Sequence, residues 1–160
     1  MKSPNDILSH HEQKHENSCV AWGLELVLKM HEKIEIGDYP LQNGADPCGY
    51  GFGQREQEIL KEYGVIAKDN SFDLNGFKEI ARSEAQKGFP LIFSVLDHVD
   101  DARRVVFHIW VAVLEAELLA YRSRKYQSPH VLSVLSLDYV FAHSRMLLGS
   151  DYRIHSLLHS

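Results

Sequence analysis

The run Gln13-Lys14-His15-Glu16-Asn17-Ser18-Cys19 leads directly into an apolar stretch, Val20 to Met30. A thiol at the first turn of a helix faces oriented N–H groups and the positive end of the helix dipole. That setting lowers its pKa and favours the nucleophilic thiolate. Such a nucleophile needs a general base from elsewhere in the chain. His108 is the natural choice, because it interrupts an otherwise apolar strand, Val106-Phe107-His108-Ile109-Trp110, where an imidazole without a partner is costly to bury.

The same N-terminal stretch holds a second candidate, His11-Glu12-Gln13-Lys14-His15, a literal H-E-x-x-H string. On a helix its two histidines would bind zinc and the glutamate would activate a water. The context argues against this. Gln13 and Lys14 fill the middle positions, no apolar face precedes the string, and a helix cap at Asn17 or Ser18 ends the segment. In a chain with ten histidines the string is an expected coincidence of a short motif. A zinc hydrolase therefore stands only as a minor alternative, and no metal or cofactor is expected. Pro47-Cys48-Gly49-Tyr50-Gly51-Phe52-Gly53 lacks the Lys-Ser/Thr of a phosphate loop and is taken as a flexible loop with a second thiol. Asp97, Asp100 and Asp101 beside Arg103 and Arg104 are taken as a solvated hairpin loop, and His155 and His159 as part of a strand and tail.

The elements that must position these residues follow from pattern. Residues 1–18 form a polar N-terminal segment. Residues 19–33 predict a helix that is apolar nearly all round, hence a buried central helix. Residues 37–54, with five glycines and two prolines, predict a long irregular loop. Helices are expected at about 54–63, with Gly64 as a stop, and from Asp73 to about Gln86, with Gly88 after its end. Val65 to Ala67 is a brief strand. Strands then follow at 89–96, 105–115 and 117–122, with an acidic turn at 97–101, a helix at 136–144 and a last strand at 152–158. Helices first and antiparallel strands later argue for an α+β fold.

Composition sets the outer bounds. The chain has 160 residues, is 44% hydrophobic and 24% charged, and carries a net charge of −5. It is long enough for one domain with a core that needs no disulfide framework, and two cysteines would not supply one. An acidic balance disfavours nucleic acid and anionic lipid as partners. No run is apolar and long enough for membrane insertion or for a signal peptide, so a cytoplasmic protein is expected.

Three stretches together resemble the papain-like cysteine peptidases, most of all the bacterial bacteriocin-processing (double-glycine leader) peptidases and their C39-like relatives. Gln13, five residues, Cys19 and the helix after it are similar to that family's Gln…Cys-helix block. Gly88-Phe89-Pro90-Leu91-Ile92 is similar to its Gly-x-Pro-strand block, and Phe107-His108-Ile109-Trp110-Val111-Ala112-Val113 to its His-strand block. The resemblance spans residues 10–158. It implies a single papain-like domain over residues 1–160, with an N-terminal helical lobe whose buried central helix packs on a C-terminal antiparallel sheet. It also implies roles: Cys19 as nucleophile, His108 as base and then acid, and Gln13 as an oxyanion donor alongside the Cys19 N–H. The substrate would be a peptide or protein. Two positions depart from the pattern. Val20 follows the nucleophile where the family has Gly, and Leu118 to Arg124 offers no Asp or Asn to orient His108; Gln127, Glu117 and Asp138 are conceivable substitutes that do not match. The expected activity is that of a cysteine peptidase or amidase working through an acyl-enzyme. The alternatives are a degenerate papain-like peptide-binding module and a thiol acyltransferase.

Overall fold

A computed structural model of the chain describes residues 2–15, 18–44, 54–71, 79, 82–88, 90–99, 101–103, 105–123, 133–143 and 153–159. They form two compact units, one of Met1–Ala67, Ser123–Ser133 and Leu158–Ser160, the other of Lys68–Arg122 and Val134–Leu157.

The first unit is built on helices. Helix α1 is Pro4–Leu8. Ser3 caps it by accepting from Asn5 N at 3.3 Å, Pro4 opens it, and Asp6 sits in its first turn, all favourable at a helix start. This corrects the expectation of a merely polar segment over 1–18: Ile7 and Leu8 are buried, and α1 packs on α2. Helix α2, Cys19–Met30, is buried on nearly every side, as its apolar circumference predicts. It stops three residues short of the expected end. Glu32 takes a left-handed φ of 57°, and the bonds Glu32 N to Lys29 O (3.0 Å) and Lys33 N to Leu28 O (2.9 Å) close a Schellman motif. The usual glycine signal is absent from the sequence there. Helix α3, Pro40–Gly44, lies inside the stretch expected to be irregular. Its start is capped from outside by the Glu25 carboxylate, a partner that local sequence does not reveal. Residues 45–53, including the Cys48 loop, lie outside the described residues. Helix α4, Gln54–Glu62, ends as expected, with Gly64 at φ 74° donating to Lys61 O.

The second unit is dominated by antiparallel strands, which establishes an α+β chain. Strand β1 is Val65–Ser71, β2 Leu91–Val99, β3 Val105–Leu114, β4 Leu118–Arg122, β5 Ser133–Ser136 and β6 Arg153–His159. Their order in the sheet is β1-β6-β2-β3-β4-β5. Strands β6, β2, β3 and β4 pair antiparallel, from Leu91 opposite Ala112 and Ser156 to Leu114 opposite Leu118. Strand β1 runs four residues past its expected end at Ala67. Strand β2 runs on to Val99, so Asp97 belongs to the strand and not to the acidic turn; it is the extra residue of a bulge between Leu96 and His98, beyond which pairing continues. Strand β5 had no clear signal in a four-residue span. Of the helix expected from Asp73, the described residues, 79 and 82–86 (α5), are helical, and Gly88 follows at φ 88°. Helix α6 is Leu137–His143, begun by Ser136, whose hydroxyl accepts from Tyr139 N at 3.1 Å.

Ala85, Leu91, Phe93, Trp110, Ala112, Ala120, Leu137 and Val140 form one core cluster of this unit. Ile92, Val111 and Tyr121, on the alternate positions, are also buried, so the sheet is covered on both faces. No helix among the described residues is long and apolar enough to cross a membrane.

Candidate functional site

The segment from His10 to Ser18 delivers the chain to the thiol. Residues 11–15 are not helical, so the H-E-x-x-H string does not place His11 and His15 on one face. His11 is instead a core residue, 1% exposed. Its Nε2 lies 2.7 Å from Trp22 O and its Nδ1 3.0 Å from Lys29 Nζ. A carbonyl only accepts, so Nε2 carries the proton and Nδ1 accepts from the ammonium. Burial, then the Lys29 charge, hold the imidazole well below its ordinary range, at about 3. With both ring nitrogens so engaged, His11 is not arranged as a zinc ligand. Among the described residues no group of three His, Cys, Asp or Glu is placed to hold a metal ion.

The rest of the segment is stitched down by side chains that pattern reading missed. Tyr39 Oη accepts from Glu12 N at 2.9 Å and donates to His10 O at 2.8 Å. Gln42, buried on α3, donates from Nε2 to Glu12 O (3.0 Å) and accepts at Oε1 from Lys14 N (2.7 Å). Ser18 Oγ accepts from His15 N at 3.2 Å and shares its one proton between His15 O and Gln42 Oε1, at 2.9 and 2.8 Å. No local signal marks Tyr39 or Gln42, because their partners lie 24 to 30 residues away.

Gln42 is itself fixed by Glu25. That carboxyl is fully buried on α2, and its Oε2 accepts from Leu41 N at 3.1 Å and Gln42 N at 3.5 Å. An acidic group at a helix start complements the dipole. Burial nevertheless pushes Glu25 up to about 7, against the lowering effect of those bonds and of Lys29. Burial likewise pushes Lys29 down to about 8, and Glu25 and Asp38 pull it back up. Lys29 Nζ also lies 3.8 Å from the Tyr39 ring centre.

Two of the three predicted site residues, Cys19 and Gln13, belong to the same unit as this network. Cys19 is the first residue of α2, half-buried, as a thiol. Ser18 makes no side-chain cap on the helix, its hydroxyl being taken by His15 and Gln42. Gln13 is 4% exposed; its Nε2 donates to His15 O at 2.9 Å and its Oε1 accepts from Ser123 Oγ. His108 belongs to the other unit, on β3 opposite Val95. His155 lies on β6 opposite Ile92. In the region where the resemblance implies an Asp or Asn, Tyr121 Oη donates to Glu115 Oε2, Arg122 lies over the Trp110 ring at 5.5 Å, and Ser123 turns to Gln13.

A depression of about 500 Å³ lies past the other end of α2, among Glu32, Glu35, Asp38, Tyr39 and Tyr63. It is apart from the thiol, at the opposite end of a 12-residue helix. Compared with models of known protein families and with curated proteins, the sequence matches none.

Proposed function

We propose that the chain is a papain-like, thiol-dependent amide hydrolase, with Cys19 as nucleophile, His108 as base and acid, and Gln13 as an oxyanion donor. The observation that carries the reading is the buried, doubly bonded Gln13, six residues before a thiol at the first residue of a buried helix. Helix-start N–H groups favour a thiolate, and Ser18 does not cap them. The thiolate would attack a peptide carbonyl, and the developing oxyanion would be met by the Cys19 N–H and the Gln13 amide. Protonated His108 would give its proton to the departing amine, leaving a thioester. Water, losing a proton to His108, would then release the acid and restore the thiol.

The test is thiol reactivity. Iodoacetamide should label Cys19 well below pH 8.5 and much faster than Cys48, and His108→Ala should slow that labelling. Equal rates at both cysteines, insensitive to position 108, would remove the catalytic reading. A second reading, a peptide-binding module without turnover, is favoured by the run Leu118 to Arg124, which holds no Asp or Asn in the region where an orienting group would stand.

A further inference from the structure

We infer that Ser123 is a positioning residue for Gln13, fixing the direction in which that amide offers an N–H to the oxyanion formed when Cys19 is acylated. The inference rests on the thiol-acylation reading above. Ser123 stands one residue beyond β4 and is 4% exposed. Its hydroxyl donates to Gln13 Oε1 from 110 residues away in sequence. The other end of the same amide donates from Nε2 to His15 O at 2.9 Å. His15 O can only accept, so the nitrogen faces His15 and the oxygen faces Ser123. Two bonds at opposite ends of a planar group fix its plane. The two N–H bonds of a primary amide lie in that plane, so the direction of the second donor is set once the first is held. With Ser123 bonded, the orientation of an oxyanion donor is therefore set before substrate arrives, and such preorganisation is what gives these donors their effect. The two anchors are unlike. His15 O lies two residues from Gln13, whereas Ser123 comes from a distant part of the chain within the same unit, so its bond ties the amide to structure far away in sequence.

Two reactions of Cys19 in the full chain separate this role from a merely structural one. p-Nitrophenyl acetate acylates the thiol: an S–C bond forms through a tetrahedral oxyanion, the ester C–O bond breaks, and p-nitrophenolate leaves with the electron pair while the thiol proton passes to His108 or solvent. Iodoacetamide alkylates the same sulfur by displacing iodide from a saturated carbon, with no oxyanion. Ser123→Ala should slow acetylation of Cys19 on the order of 10-fold and leave alkylation within about 2-fold. Ser123→Thr, which keeps the hydroxyl, should recover most of the rate, and Ser123→Val, of the same shape, should not. Gln13→Ala should slow acetylation on the order of 10²-fold, and Ser123→Ala added to it should cost nothing more, since one residue acts through the other. If Ser123→Ala does not fold, the Thr and Val variants carry the same comparison. Parallel slowing of both reactions, unchanged acetylation, or full additivity with Gln13→Ala would overturn the inference alone. A wild-type Cys19 that acetylates no faster than Cys48 would overturn the thiol reading and the inference with it.

Discussion

Around helix α2 the first unit is tied by His11, Glu25, Lys29, Tyr39 and Gln42, whereas the core cluster of the second, from Ala85 and Leu91 to Leu137 and Val140, is apolar. The first network places particular backbone atoms: Glu12 N, Glu12 O, Lys14 N and His10 O each have a named side-chain partner. The second core fills space. Hydrogen bonds are directional and individually modest, but leaving a buried partner unsatisfied is expensive. Apolar burial is non-directional and scales with area. Residues 10–14 thus owe their course to directional bonds, and the sheet that carries His108 owes its stability to packing. The first should be sensitive to pH and to single polar deletions, and the second to lost volume.

The largest effect is expected in the apolar core. Phe93→Ala should cost about 3–5 kcal/mol in denaturant unfolding, by the same amount at pH 5 and pH 8. A strong pH dependence of that loss would break the contrast.

Next comes Glu25. Its folded value, about 7, lies above its ordinary 4.5, so between those values the folded state holds a proton that the unfolded state has lost. The contribution of Glu25 to stability is then full below the ordinary value and is lost as pH rises through that window. Glu25→Gln cannot titrate. Whatever its stability relative to wild type at pH 4, the balance should move in its favour by about 3 kcal/mol by pH 8. His11 acts in the opposite sense. With its folded value near 3, its contribution is lost as pH falls from 6.5 toward 3, so Glu25→Gln should steepen the acid side of the wild-type profile. A constant offset between Glu25→Gln and wild type would mean that the carboxyl titrates normally.

Gln42→Ala removes the partner of Glu12 O, Lys14 N and the Ser18 hydroxyl. It should cost about 2 kcal/mol and raise amide exchange at residues 12–18 while the β2 and β3 amides stay protected. Uniform loss of protection across both units would show that the network does not act locally. The smallest effect is at Glu32, whose left-handed backbone suits glycine. Glu32→Gly should raise stability by about 0.5–1 kcal/mol, the exposed contact of Glu32 with Lys2 at 3.7 Å contributing little against it.

How far the sequence determined these features differs between the two units. The change from polar to apolar residues after Ser18 located the start of α2 and its burial, and apolar, β-branched runs located strands β2, β3 and β4, because each signal lies within about ten residues of chain. Ser3, Pro4 and Asp6 carried a readable helix start that a polar composition obscured. What only the tertiary structure decided is long-range and polar. Glu25 caps a helix 16 residues away, Gln42 and Tyr39 hold a segment 24 to 30 residues away, and Ser123 reaches Gln13 across 110. His11, part of a metal-like string in sequence, became a neutral core histidine because Trp22 O and Lys29 Nζ met its two nitrogens. Apolar pattern is repeated along a chain and so can be counted. A hydrogen bond needs one atom at one distance and angle, and no periodicity in the sequence records which distant residue will supply it.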